Sequence, residues 1–371
     1  MSRPSFTTTF TTTARRVLMR LGVFLPTGNN GWILSETAPQ YMPTFALNQG
    51  IVSRAESFGF SLGLGMISFR GYGGSTEHWD YTSEPVTQTA AVLATTSSMT
   101  IFASVGVLSI HPAMVARMAA TINDVAPGRF GINITTGWHR AEYAQMGMWP
   151  GDDYFGYRYD YATEYATILR ELLETGHCDF TGKHFQVEDC RVGFHPENHV
   201  PIAAAGASER GRRFAAQFAD YNFTMAKDTE GIRAAQAQIH AAAGENGRDV
   251  RILTQRSVIL DDTDELALKR IEHINAGADS VALANQKGHY AVDSSGTSSA
   301  AAEASIATYQ AVDPGSASLF AGSPATVARK VNALAAVGGI DGLLFSFDDF
   351  GEGLDRFGDE VVPLLDFDIA Q

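Results

Sequence analysis

Residues 100–138 read TIFASVGVLSIHPAMVARMAATINDVAPGRFGINITTGW: an apolar run over 100–104, a helix-like segment over 113–123, and a second apolar run over 130–134. Strand, helix, strand in that order is how parallel strands joined by a crossover helix are written. Working outward, the alternation recurs on both sides. Strands are predicted at 21–25, 60–64, 202–205, 221–225, 250–259 and 342–347, and helices at 45–58, 86–96, 157–174, 209–218, 229–243, 263–276 and 324–336. Eight strand-then-helix units predict an α/β fold, a closed (β/α)8 TIM barrel with insertions. The alternative is an open doubly wound sheet of six units with an accessory domain. Caps support several helix starts: Ser208 before Glu209, Asp262 before Thr263, and Ser323 followed by Pro324.

A chain of 371 residues can hold one such barrel. Apolar residues make up 45% and charged residues 18%, enough for a large core. The domain reading is a flexible leader over 1–19 and a single domain over 20–371, with no Pro/Gly tract dividing it. Residues 1–16, MSRPSFTTTFTTTARR, share the Ser/Thr/Arg composition of transit peptides but lack an apolar core, so they read as a floppy leader, with Met19 as an alternative start. Insertions are expected at 70–84, 178–201 and 285–320. The last contains DSSGTSSAAAEAS, too poor in bulky apolar residues to pack, and reads as a mobile lid or as disorder.

The formal net charge of −14 disfavours nucleic acid or an anionic membrane as partner. No run of eighteen apolar residues occurs, the length a transmembrane helix would need. The two cysteines, Cys178 and Cys190, form no CxxC pair and have no zinc spacing; they fit a reducing, cytoplasmic setting, although a disulfide across the hairpin-like run 179–189 is sterically conceivable.

In a barrel the chemistry sits where strands end. After the first strand comes PTGNNGW (26–32), after the second Met66-Ile67-Ser68 and a Gly-rich loop at 70–74, and at the end of the third Ser104, with His111-Pro112 opening a helix. No dinucleotide or phosphate-loop glycine spacing occurs. The fourth unit is richest: Asn133, Thr135-Thr136-Gly137-Trp138, Glu142 and Arg158-Tyr159 combine amide groups, flat faces and a cation. After the fifth strand, Ala205-Gly206-Ala207-Ser208 opens a helix, a seat for a phosphate as readily as a simple cap. There is no GxSxG elbow, no HExxH and no metal-ligand cluster. Hydroxyls, amides and aromatics with few titratable groups suit chemistry carried by a cofactor.

The segments GVFLP, GNNGW, APQYMPTF, VARMAATI, GRFGIN, TGW, EYAQMG, WPGDDYF, RYDY, TEY and FDDF, spread from Gly22 to Phe350, carry a family resemblance. The chain resembles the flavin-dependent monooxygenases of the bacterial luciferase-like superfamily, and within it the pyrimidine monooxygenases of the Rut uracil-degradation pathway. That resemblance implies a barrel, reduced FMN delivered by a separate NAD(P)H:flavin reductase that uses NADH, dioxygen as co-substrate, a small heterocyclic substrate and a cytoplasmic homo-oligomer. It implies opening of a pyrimidine ring at an amide bond, through a peroxide at flavin N5, to give ureidoacrylate. It places flavin contacts on Ile67, Ser68, Asn133, Glu142, Arg158, Tyr159 and Ser208, and the oxygen-positioning pair on Ser104 and Asn133. Two positions depart from the family: Ser68 stands where it carries Lys, and Ser104 where it carries Thr. Three alternatives stay open. They are the same chemistry on a sulfone, sulfonate, chlorinated aromatic or other N-heterocycle, a deazaflavin-dependent reductase, and a flavin-binding protein without turnover.

Overall fold

The computed structural model describes residues 18–193, 196–206, 208–224, 226, 228–292 and 311–370. Its strands are β1 (Leu18–Leu25), β2 (Leu62–Gly65), β3 (Thr100–Gly106), β4 (Phe130–Thr135), β5 (His177–Thr181), β6 (Gln186–Arg191), β7 (Ile202–Ala205), β8 (Tyr221–Thr224), β9 (Arg251–Leu260), β10 (Leu319–Gly322), β11 (Gly342–Phe347) and β12 (Asp368–Ile369). The helices are α1 (Phe45–Ser57), α2 (Pro85–Leu93), α3 (Pro112–Val125), α4 (Arg140–Ala144), α5 (Tyr154–Thr175), α6 (Glu209–Phe218), α7 (Thr229–Glu245), α8 (Asp264–Ala276), α9 (Ser280–Val292), then, after β10, α10 (Pro324–Ala335) and, after β11, the short α11 (Glu352–Arg356). Neighbouring barrel strands run β1-β2-β3-β4-β7-β8-β9-β11, all parallel, and β11 pairs back to β1 to close the ring. This is the expected (β/α)8 barrel.

Period-two alternation divides each strand between two cores. Leu62, Leu64, Phe102, Tyr221, Phe223, Leu253 and Leu344 fill the barrel interior, while Val23, Ile101, Ile132, Ile202, Leu343 and Phe345 face the helical shell. Gly131 on β4 points inward, where an added Cβ would come within 2.5 Å of the Phe102 ring; the absence of a side chain there lets Phe102 fill the axis.

Several expectations are corrected. Leu18 and Met19, read as part of the leader, open β1: they pair with β12 near the other end of the chain, and Met19 is buried. Residues 1–17 lie outside the described residues. Of the expected mobile insertion 285–320, residues 285–292 belong to α9 and 319–320 to β10, which extends the sheet beyond β9; 293–310 lie outside the described residues. The cap before α8 is Thr263, not Asp262, because the Thr263 hydroxyl is the group that accepts from the Leu266 N–H. Ser323 gives no side-chain cap to α10, since its hydroxyl donates to Asp264 instead. Ser208 caps α6 as read, at 3.1 Å from the Gly211 N–H. Cys178 and Cys190 face each other in register across the β5–β6 hairpin as free thiols, and burial pushes the Cys178 thiol up to about 12.

The start of α9 ties the insertion at 70–84 to the barrel. Asp279, buried, accepts from the Thr76 N–H (2.9 Å), the Thr76 hydroxyl (2.8 Å) and the Ala282 N–H (3.0 Å). Burial alone would raise its pKa, but these hydrogen bonds outweigh it and hold the carboxyl below the usual range. A depressed folded-state pKa contributes stability that is present above the unfolded value, about 4, and is lost as pH falls through the folded one. Asp279→Ala is therefore expected to destabilise the protein by about 1–3 kcal/mol at pH 7. In chemical denaturation curves the gap to wild type should narrow below about pH 4; a pH-independent gap would show that charge is not involved.

Candidate active site

At the carboxyl ends of the strands lies a cavity of about 220 Å³. Strand ends and the turn after β2 contribute Phe24, Leu64, Met66, Ile67, Ser68, Ser104, Asn133, Thr135, Ala205 and Phe223, the loops above add Trp32, Tyr72, Trp79 and Trp138, and α4 adds Glu142 and Tyr143. Phe24, Leu64, Ser104, Asn133, Thr135, Ala205 and Phe223 sit there because alternation turns them inward near the strand ends, while Met66, Ile67 and Ser68 follow β2 as the chain leaves the sheet.

Ser104 and Asn133 are register partners on β3 and β4. The Asn133 Nδ2 donates to Ser104 Oγ at 2.8 Å, and both side chains are buried. The Asn133 Oδ1 is buried without a partner among the described residues. An unsatisfied buried carboxamide oxygen is costly, and in a cavity wall it marks the place for a ligand's donor. Across the cavity the Ser68 hydroxyl reaches Glu142 Oε1 at 2.8 Å and the Arg70 carbonyl at 3.0 Å. Glu142 Oε1 is also 3.2 Å from His139 Nδ1. Among the described residues that line the cavity, Glu142 is the one carboxylate, and there is no Lys or Arg. Burial, before the Glu142 charge, raises the Tyr143 phenol well above its ordinary range, so it stays neutral.

The aromatic wall depends on two loops tied together. Asn30 Nδ2 donates to the Thr76 carbonyl (2.8 Å) and Asn29 Nδ2 to the Glu77 carbonyl (2.9 Å). Trp79 adopts φ 61°, rare for a bulky residue. Its indole N–H donates to the Gly31 carbonyl at 2.6 Å, and it meets Trp32 edge-on at 5.2 Å. A Cβ at Gly28 would come within 2.7 Å of the Trp79 ring, which explains the glycine. Strain of this kind persists only where surrounding contacts over-determine it, and it gathers at binding sites.

Of the residues singled out from sequence, Ile67, Ser68, Ser104, Asn133 and Glu142 meet in this cavity. Arg158, Tyr159 and Ser208 do not line it; they gather beside it at the amino terminus of α6. There the Tyr159 ring lies under the Arg158 and Arg210 guanidinium groups, at 5.4 and 5.9 Å. A Cβ on Gly211 would come within 2.6 Å of the Tyr159 hydroxyl, and one on Gly206 within 2.7 Å of the Gly211 Cα. Ala205, which lines the cavity, joins the two groups through the end of β7. Sequence reading missed Tyr72, Trp79 and His139. The first two lie in a loop without periodicity, and His139 follows Trp138 with no spacing motif of its own. His111 caps α3, its Nδ1 accepting from the Ala113 N–H at 3.2 Å.

Among the described residues no group of three or more His, Cys, Asp or Glu is placed to hold a metal, and no helix is long and apolar enough to cross a membrane.

A long planar cofactor with an anionic tail fits this division into an aromatic cavity and a helix start bearing arginines, one of them, Arg210, paired with Asp160 at 2.8 Å, and the comparisons agree. The model of the luciferase-like monooxygenase family matches residues 19–341. The chain belongs to that family: it is a flavin-dependent monooxygenase. Among named relatives it is 46% identical over 355 residues to Pyrimidine monooxygenase RutA of Stutzerimonas stutzeri (strain A1501), covering 94% of this chain and 96% of that protein. It is 47% identical over 355 residues to Pyrimidine monooxygenase RutA of Caulobacter sp. (strain K31), covering 94% and 98%. Among solved structures, riboflavin lyase (RcaE) with modified FMN and substrate riboflavin superposes with a TM-score of 0.79 at 18% identity, over 94% of this chain and 91% of that one, a likeness of fold.

Proposed function

We propose that this chain is the oxygenase of a two-component system: it binds reduced FMN supplied by a separate NADH-using flavin reductase, and uses dioxygen to open a pyrimidine ring. Uracil is the leading substrate, cleaved between a ring nitrogen and its adjacent carbonyl carbon to give ureidoacrylate. The observation that carries this reading is the buried Ser104–Asn133 pair, whose carboxamide oxygen has no partner among the described residues. Similarity to the pyrimidine monooxygenases over 94% of the chain supports the substrate class.

The residues present fit the cofactor. Ile67, Ser68, Asn133 and Glu142 offer a flavin ring neutral edges and one carboxylate, while Arg158, Tyr159 and Ser208 offer its phosphate a cationic helix start. FMN, when bound and reduced, supplies the electrons that activate oxygen. The chain's own part is to orient and to exclude water. Ser104 and Asn133 hold the oxygen-reacting face, and the wall of Trp32, Tyr72, Trp79 and Trp138 shields it from solvent. With a carboxylate and no cation among the described lining residues, an anionic sulfonate is disfavoured against a neutral heterocycle.

The test is to follow uracil, NADH and oxygen together in a mixture of protein, FMN, reductase and NADH. Uracil should disappear in step with NADH. Bound FMN with uracil left intact would reject the pyrimidine assignment, and failure to bind FMN would reject the cofactor.

A further inference from the structure

One polar group inside the barrel has no part in the reaction outlined above. On β9 and β11, Leu253 and Leu344 point into the interior core. Period two then places Gln255, Ser257 and Ser346 on the same inner face, nearer the mouth. Gln255 Nε2 donates to Ser346 Oγ at 2.6 Å, and the hydroxyls of Ser257 and Ser346, register partners, lie 3.1 Å apart. Gln255 Oε1 receives no hydrogen bond among the described residues, and one of the two serine protons is left over once the hydroxyls have bonded to each other.

Two further features mark the group as more than filling. Gln255 and Ser257 are only partly buried although they face inward, while Ser346 between them and the Phe24 cavity wall is buried. Their flanks are cavity walls: Phe24 follows in register after the Val23–Phe345 pair, beside Ser346, and Phe223 pairs with Leu253; the two rings stack at 5.6 Å, and both line the cavity. The strand is also fixed at this point, since the buried, outward-facing Arg256 donates to the Gln255 carbonyl at 2.6 Å. The interior below this level is filled by Leu62, Leu64, Phe102, Phe223, Leu253 and Leu344, and a polar cluster beside it costs desolvation that packing alone does not require.

We propose that Gln255, Ser257 and Ser346 form a specificity-determining patch that reads an amide-type edge, an N–H beside a C=O, on a neutral planar substrate. This rests on the monooxygenase reading of the cavity. Gln255 Oε1 accepts from the ring N–H, and the spare serine hydroxyl donates to the carbonyl. A site built to pair such an edge discriminates against analogues that lack it, because its own polar groups are then left unpaired.

The experiment uses the FMN-loaded full chain, with uracil as probe. Uracil affinity is measured by calorimetry, KM and kcat by turnover, and FMN affinity by quenching of flavin fluorescence, for wild type, Gln255→Leu, Gln255→Met and Ser346→Ala. Both Gln255 variants should weaken uracil binding and raise KM by roughly tenfold or more, with FMN affinity and kcat held within about twofold. Gln255→Met keeps the side chain's length, so matching losses in both variants assign the effect to the amide. Unchanged uracil affinity in a variant that binds FMN normally would overturn the proposal, as would an equal loss of FMN affinity or a wild type that does not bind uracil. If wild type binds uracil, loses that binding on Gln255→Leu, and yet does not turn it over, the patch stands and the ring-opening assignment falls.

Discussion

Under the proposed function, Asn133→Ala is expected to lower the ratio of ring-opened product formed to NADH oxidised by roughly a hundredfold, on the scale of losing one preorganised hydrogen-bonding group at a reacting centre. Asn133 is buried on β4, its Nδ2 tied to Ser104 and its Oδ1 unpaired in the cavity wall. Truncation removes both atoms, leaves the Ser104 hydroxyl without its partner, and opens space for water beside the oxygen-reacting face. Reduced flavin then still consumes oxygen, but without transferring it to substrate. Protein, reductase, NADH and uracil are mixed, and product is quantified against NADH. Ser104→Ala acts in the same direction but more weakly, and the double variant costs less than the two single losses combined, because the residues act as one unit. Coupling unchanged in Asn133→Ala would remove the pair from the mechanism.

Gly211→Val is expected to weaken FMN binding by at least tenfold. Its Cβ position lies 2.6 Å from the Tyr159 hydroxyl and 2.8 Å from the Gly206 Cα. Tyr159 could swing away, but the Gly206 backbone cannot yield cheaply, so the start of α6 must shift away from the end of β7. That moves Ser208, Tyr159 and the neighbouring guanidinium groups relative to one another, and a phosphate seat made of converging donors tolerates little displacement. Quenching of flavin fluorescence gives the affinity, and a thermal melt checks that the barrel is intact. FMN affinity within twofold of wild type in a folded variant would place the phosphate elsewhere.

The barrel was legible because its signal is local: apolar runs such as 100–104 and 130–134 bounded by turn residues, each followed by a helix-like segment. So were Ser104, Asn133 and Ser208, since strand ends and helix starts are where a barrel puts its chemistry. What sequence did not show depends on distant contacts. The true start of β1 follows from its pairing with β12, some 350 positions along the chain. The Ser323 hydroxyl is diverted from its own helix by Asp264. Nothing local marks Trp79 for a left-handed backbone; Asn29, Asn30 and Gly31, reaching across from another loop, hold it there. The division of the site residues into a cavity and a separate helix start was hidden for the same reason, because Tyr159 and Gly211 meet only in the folded chain.

The most direct test of the central claim is to run the coupled reaction under 18O2, with FMN, reductase, NADH and uracil, and to weigh the product. A ring-opened product carrying one 18O atom from the gas, formed only when this protein and FMN are both present, is the predicted result. A product without label, or no ring-opened product while FMN is bound and NADH is oxidised, would contradict an oxygenase acting on the pyrimidine ring.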